Sequence, residues 1–429
     1  MKLSATFESL RIRNFRLWVV GLLVSATGTW MQATAQDWIV LTELTDHDAA
    51  AVGVVIALQL IPNLLILPLA GAMTEHFSRR KILLIAQCFS FTLAIILGVL
   101  VLTSTVELWH VWILAFLLGC GSAFEGPART TFISELVSDK HLANGVSLNS
   151  VAFNSARLLG PALAGVAIAV VGTGWVFIIN AASFVFVAAA LLAIRQSELS
   201  HAEPPPQGQG TVRAGLRYVM GRPDIIVVMI VSFLLGTFAF NFAVITAAMA
   251  RIEFDADSAA FGVLNSALAV GSIVGALVTA GRSSPTIRLL MVSSFLFAGS
   301  SVVAAVAPDY LWFAIALPLV GLTSMMIITT AHTRVQLLTD PPYRSRVMSL
   351  YILVLMAGGP IGGPLLGIIA NEWGPRWSVA VPAIAGLAAG VILTVWTRRH
   401  PETSALSDRP LRERWRSGAD DPSEMEPIS

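Results

Sequence analysis

The sequence predicts an all-α integral membrane protein, with twelve transmembrane helices in two pseudo-symmetric six-helix bundles around a central cavity. Three observations carry that prediction. Of 429 residues, 55% are hydrophobic and only 12% charged, about half the charged share of soluble domains. Twelve apolar stretches reach the roughly 20 residues a helix needs to cross a bilayer. The chain also repeats itself at one constant offset: Ser147, Leu148, Gly160, Leu163, Gly165, Gly172 and Trp175 recur as Ser349, Leu350, Gly362, Leu365, Gly367, Gly374 and Trp377.

Composition narrows the function classes. A formal net charge of +1 implies no nucleic-acid partner. Cys88 and Cys120 lie inside apolar runs, leaving no disulfide framework or zinc-ligand spacing, so no metal is expected. Gly119-Cys-Gly121 lacks the third glycine and the strand-turn-helix setting of a nucleotide site, and no enzyme is predicted. A basic N-terminus, the apolar run from Leu17 and the Ala33-Thr34-Ala35 triplet imitate a secretory signal. The later spans, however, need this segment to complete their bundle.

The spans begin near Leu17, Ala51, Ile82, Trp109, Val146 and Trp175 in the first copy, and near Ile225, Phe261, Ile287, Leu311, Val347 and Trp377 in the second. Residues 1–194 are therefore the N-terminal bundle and 225–397 the C-terminal one. Between them, 195–224 is a linker: Pro204-Pro205-Pro206 breaks the chain, and the segment from Arg213 through Arg217 predicts a short amphipathic helix at the membrane surface. The tail, 398–429, is polar and charged, and its composition predicts disorder. Of 27 Lys and Arg residues, Arg251 and Arg376 fall in loops on one side, Arg129 and Arg157 lie within spans, and the rest occupy the termini and alternate loops. The positive-inside rule places both termini in the cytoplasm, with the chain crossing the membrane many times.

Ionisable groups inside a span cost at least ~2.5 kcal/mol on insertion scales, so they pair, face a cavity or do chemistry. Ser122, Glu125 and Arg129 follow helical spacing in the fourth span. Glu125 is the foremost candidate for a proton-binding acid, and a permanent pair with Arg129 is the alternative. Arg157, with Asn154 one turn earlier, either completes a network around Glu125, contacts a substrate or clamps two helices. Ser25, Thr29, Gln32 and Gln36 form a polar stripe along the first span, which suits a cavity wall or interhelical hydrogen bonding. Asp37 continues that span toward its outer end, as an interfacial residue or a coupling acid. In the second copy, Phe238, Asn241 and Phe242 of the seventh span and Thr323, Met326 and Thr330 of the tenth offer aromatic, soft and hydroxyl surface for an amphiphile.

After the second span the chain reads Gly71-Ala-Met-Thr-Glu75-His-Phe-Ser-Arg79-Arg80-Lys81. This resembles the signature loop of the major facilitator superfamily, with Glu75 for Asp, His76 for Arg and Ser78 for Gly. Six further strings are similar to the branch containing enterobactin exporters and macrolide efflux proteins: Phe15-Arg-Leu-Trp18, Gly28-Thr-Trp-Met-Gln32, Pro127-Ala-Arg129, Leu159 through Gly165, Ala214 through Tyr218, and Arg346 through Leu350. The resemblance covers nearly the whole chain. It implies a secondary exporter of amphiphilic compounds, driven by proton antiport. Ala115 stands where related drug/proton antiporters carry an arginine, so another ionisable group has to couple the proton.

The resemblance also implies a cytoplasmic gate at Gly71, Glu75, Arg79 and Arg80. Arg79 is expected to pair with Glu135, and Glu75 to meet the start of the eleventh span, contacts that would break as the halves rock. The clusters Gly160, Pro161 and Gly165, and Gly362, Gly363, Pro364 and Gly367, are expected to bend and closely pack the fifth and eleventh spans. No bound cofactor is expected, the proton gradient being the energy source. Expected partners are a small-molecule substrate, protons and membrane lipids around a monomer. A proton-coupled importer or a lysolipid flippase uses the same architecture.

Overall fold

The computed structural model describes residues 8–199, 212–239, 241–280 and 286–401. Hydrocarbon offers no hydrogen-bond partner to a peptide group, so spanning segments satisfy their backbone internally. Among the described residues the chain is accordingly helical, without strands. The first half runs α1 (Arg13–Ile39), α2 (Ala49–His76), α3 (Arg79–Leu102), α4 (Leu108–Leu136), α5 (Asp139–Val171) and α6 (Thr173–Ala193). A short helix, α7 (Val212–Met220), occupies the segment read as amphipathic. The second half comprises α8 (Pro223–Ala239), α9 (Phe242–Ala248), α10 (Ser258–Ala280), α11 (Ile287–Ala305), α12 (Tyr310–Leu338), α13 (Arg344–Ala357), α14 (Gly359–Trp373) and α15 (Pro375–Arg399). The linker residues 200–211 and the tail from 402 lie outside the described residues.

Among the described residues, 11 helical stretches are long and apolar enough to cross a membrane. Helix α1 is not one of them, because Thr27, Thr29, Gln32, Gln36 and Asp37 dilute its apolar content. Its 27 residues nevertheless reach about 40 Å, and it packs along both α5 and α6. The stripe that lowers its hydropathy is thus taken out of lipid by neighbouring helices. Outward-facing positions such as Val170, Leu192, Leu277, Ile315 and Ile384 are exposed and apolar, which suits an acyl-chain environment.

The duplication read from sequence is repeated in backbone detail. Gly172, between α5 and α6, has φ +86°, and its repeat partner Gly374, between α14 and α15, has φ +97°, conformations that only glycine adopts without strain. A single π-helical turn follows α1 at Val40–Leu44 and follows α9 at Met249–Glu253. The halves differ elsewhere. Helix α5 runs unbroken through Pro161, whereas the eleventh span divides at Gly358 and the seventh between α8 and α9. Asn241 ties the two breaks together: its Nδ2 donates to Thr237 O at 2.7 Å and to Gly359 O at 3.3 Å.

The halves meet along two seams, α2 against α14 and α5 against α10. Gly53 packs on the Gly363 backbone and Gly367 on Ala49 and Ala50, while a Cβ at Gly165 would sit 2.5 Å from Ser258 O. These glycines let main chains approach closely. Asn371 Nδ2 donates to Asp48 Oδ1 at 2.6 Å, and Ala49 N donates to Asn371 Oδ1 at 2.9 Å. Arg251 Nε meets His47 Nε2 at 3.2 Å, and Trp38 stacks on Phe261 at 5.6 Å. All of these lie toward the face opposite the chain termini, called here the far face. Nearer mid-depth, Ser266 Oγ donates to Leu158 O at 3.0 Å. The far face is held shut by the contacts of Asn371, Arg251 and Trp38.

Candidate functional site

Between the halves lies a cavity of about 350 Å³ lined by α1, α2, α5, α8, α9 and α10. It holds Trp30, Asp37, Gln59, Arg157, Phe242 and Asn265 among its wall residues. Two further lobes, of about 430 and 290 Å³, share Trp30, Ala33 and Gln59 with it and extend into the N-terminal bundle. The polar stripe of α1 faces these lobes: Thr29, Gln32 and Gln36 line the larger one, Ser25 and Thr29 the smaller. Helix periodicity puts the stripe on one side of α1, and the packing of α2, α4 and α5 around that side leaves the gap.

The charged residues separate into two groups. Glu125 lines both N-terminal lobes, with Arg129 Nη1 3.7 Å from its Oε1. The guanidinium of Arg129 lies 4.8 Å from the Phe153 ring centre. Arg157 does not reach this pair. It lines the central cavity, 5.6 Å over the Trp30 ring, so a Glu125-centred network including Arg157 does not form. Asp37 lines the same cavity and is 8% exposed, a chamber residue and not an interfacial one. The π-helical turn at Val40–Leu44 continues the helix beyond it, which places Asp37 below the far-face closure.

Several expected wall residues are occupied otherwise. Asn154 Nδ2 donates to Ser150 O of its own helix at 2.8 Å. Asn241 braces the two helix breaks and has no exposed surface. Thr323 Oγ1 meets Ser300 Oγ of α11 at 3.2 Å, while Met326 and Thr330 are buried inside the C-terminal bundle. Phe238 packs against the core, and Phe242 alone of the six second-copy candidates lines the central cavity. The sequence reading missed Gln59 and Asn63, spaced one turn apart on α2 within an apolar run, and Asn180, whose Nδ2 donates to Gln32 Oε1 at 2.6 Å. That spacing was the available signal for the first two.

The glycine and proline cluster acts through proximity. Gly160 abuts Trp30, Pro161 O faces Gly262, Gly362 abuts Thr237 O, and Gly363 has Gly53 O 3.0 Å from its Cβ position. The interruption of the eleventh span falls at Gly358, before Gly362, Gly363, Pro364 and Gly367.

At the basic face, Arg79 Nη1 lies 2.6 Å from Glu135 Oε1. Both belong to the N-terminal bundle, so rotation of one rigid half against the other leaves this pair intact. Arg80 is buried and donates to Leu191 O at 2.8 Å and Leu192 O at 3.0 Å, where it caps the last carbonyls of α6. It is thus a structural cap and not a gate contact. Gly71 and Glu75 sit on α2, but their side-chain placement lies outside the described residues. In the second half Tyr218 of α7 donates to Asp340 Oδ2 at 3.0 Å and accepts from Arg222 Nη1 at 3.1 Å. Burial raises the Tyr218 phenol pKa. It also works against the charge on Arg222, but the hydrogen bond and charge of Asp224 outweigh it and raise the guanidinium pKa.

Two repeated helical bundles, apolar outside and enclosing a polar chamber between them, define a membrane transporter of the major facilitator type and not an enzyme. The sequence profile of the transmembrane secretion effectors matches residues 4–418, and the chain belongs to that family. The staphyloferrin A transporter of Staphylococcus aureus is 27% identical over 377 residues, covering 87% of this chain and 93% of the relative. An enterobactin exporter of Citrobacter koseri is 26% identical over 363 residues, 82% and 84% of the two chains. Among solved structures a nucleoside transporter superposes with a TM-score of 0.73 over 89% of this chain and 99% of that one, at 11% identity, a likeness of fold alone.

Proposed function

We propose that the protein is a secondary exporter of the bacterial cytoplasmic membrane, moving a small siderophore-like or other amphiphilic molecule outward by proton antiport and alternating access. The observation that carries this reading is Asp37. It is a buried carboxylate on the wall of the inter-bundle chamber, and among the described residues no cation stands within 4.0 Å of it. A carboxylate so placed is costly when charged and solitary, so binding and release of a proton or a cationic group there changes the stability of the chamber. Glu125 is the second candidate, with Arg129 beside it offsetting its charge.

The Lys and Arg distribution supports a cytoplasmic location for the basic face and both termini. On that orientation the seam closed by Asp48, Asn371, His47 and Arg251 is the extracytoplasmic one. Substrate enters from the cytoplasm, the far-face seam parts as the halves rock, and a proton taken from outside accompanies the return. The substrates named for the two sequence relatives support a siderophore-like cargo.

The test uses inverted membrane vesicles energised to an acidic interior. Wild-type protein should accumulate the exported compound and dissipate the pH gradient on its addition. Asp37→Asn should abolish gradient-driven accumulation while retaining exchange across the membrane at saturating substrate. Full gradient-driven accumulation by Asp37→Asn removes that residue from coupling, and the same result with Glu125→Gln removes Glu125. Uptake in right-side-out vesicles, without accumulation in inverted ones, would establish an importer.

A further inference from the structure

We infer that the chamber takes a zwitterionic substrate, whose oxyanion is held by Arg157 and whose ammonium is held by Asp37. This rests on reading the chamber as the transport site and names the class of molecule that fills it.

Arg157 and Asp37 are the two ionisable groups on the wall of the central cavity. They bear opposite charges yet do not pair: among the described residues neither has an ion pair within 4.0 Å or a side-chain hydrogen bond. The Arg157 guanidinium lies over the Trp30 face, 5.6 Å from its centre. Several carboxylates elsewhere do have a basic partner. Glu125 has Arg129, Glu135 has Arg79, Asp224 has Arg222, and Glu253 has Arg376.

A charge removed from water without a counter-charge is strongly unfavourable, and two opposite charges on one wall would relieve that by approaching. Their separation leaves both sites for something else. A ligand with one charge compensates one wall group and leaves the other isolated. A molecule with an ammonium and a carboxylate compensates both at once, with bidentate geometry available at the guanidinium. The side-chain amide of Gln59 lies on the same wall, and Trp30 and Phe242 supply aromatic faces for the apolar part of such a molecule. The cavity volume falls within the range of small-molecule sites.

The test measures equilibrium binding to the purified full chain in lipid nanodiscs, by fluorescence of four dansyl probes that differ only in charge. These are Nε-dansyl-lysine, a zwitterion; its methyl ester, a cation; its Nα-acetyl derivative, an anion; and the Nα-acetyl methyl ester, which is neutral. The zwitterion should bind about tenfold or more tighter than either singly charged probe, the scale of losing one charged hydrogen bond. Arg157→Gln should erase the distinction between zwitterion and methyl ester while keeping that between zwitterion and acetyl derivative. Asp37→Asn should do the reverse, and Arg157→Lys should retain part of the preference, which separates charge recognition from misfolding. Equal binding of the four probes, no binding of the zwitterion, or variants that weaken all probes alike would each overturn the inference. Proton-driven transport without charge preference would sink this inference and leave the exporter reading standing. Charge preference without proton-driven transport would do the opposite.

Discussion

Asn371 offers the most direct way to perturb the closed far face. It is bonded across the seam twice, donating to Asp48 Oδ1 at 2.6 Å and accepting from Ala49 N at 2.9 Å. One bond is charge-assisted and one neutral, which would sum to several kcal/mol at full value; Asn371 is exposed, so water replaces much of each when they break, and about 1.5 kcal/mol in all is the reasonable net. That energy exists only while the far face is shut. Removing it with Asn371→Ala should shift the equilibrium toward far-face opening on the order of tenfold. Helix α2 itself keeps its start, because Asp48 Oδ1 still accepts from Ala50 N at 2.8 Å and Ala51 N at 3.2 Å. The assay is electron-electron distance measurement between spin labels at Thr105 and Glu372, in a background with Cys88 and Cys120 replaced by Ser. A second, longer distance should gain population in the Asn371→Ala protein. An unchanged distance distribution in a well-folded variant would refute the claim that these bonds hold the seam.

Three other outcomes follow from local packing and charge. Gly362→Ala drives a Cβ into the backbone oxygen of Thr237, whereas at Gly299 nothing stands within 4 Å. The first should lower thermal stability by roughly 1–3 kcal/mol or more and the second raise it by roughly 0.5–1 kcal/mol, both read from melting in detergent. Arg80→Gln should loosen the last turn of α6, seen as faster hydrogen exchange at 190–195 with transport direction unchanged; protection equal to wild type would exclude the cap role. The Tyr218 phenol pKa is raised by burial, so the unfolded chain ionises first as pH climbs past about 10. Stability present below that pH is then lost above it, and Tyr218→Phe should show a smaller fall in melting temperature between about pH 9 and about pH 11 than wild type.

Much of the architecture is legible in the chain because lipid leaves few choices. Apolar runs of spanning length must be helices, and the repeat of Gly172 as Gly374 anticipates two turns with the same positive φ. The stripe Ser25, Thr29, Gln32 and Gln36 is equally legible, since spacing alone puts those side chains on one face and hydrocarbon cannot be what they meet. Pairing was harder. Arg79 and Glu135 come together as their sequence positions suggest, yet within one bundle, and Arg80 beside them turns to the α6 carbonyls. Asn154 and Thr323 look like cavity residues in sequence and are spent on Ser150 O and Ser300.

By itself, then, the sequence determines the helices, their duplication, their exclusion from water and the polar side of α1, because each follows from local periodicity and the chemistry of the bilayer. Only the tertiary structure decides that Arg157 shares a cavity wall with Asp37 and not with Glu125, that the eleventh span breaks at Gly358, and which contacts seal the far face. Those outcomes depend on how α2 meets α14 and how α5 meets α10. Contacts between segments so far apart in the chain are set by shape and backbone approach, which no local pattern records.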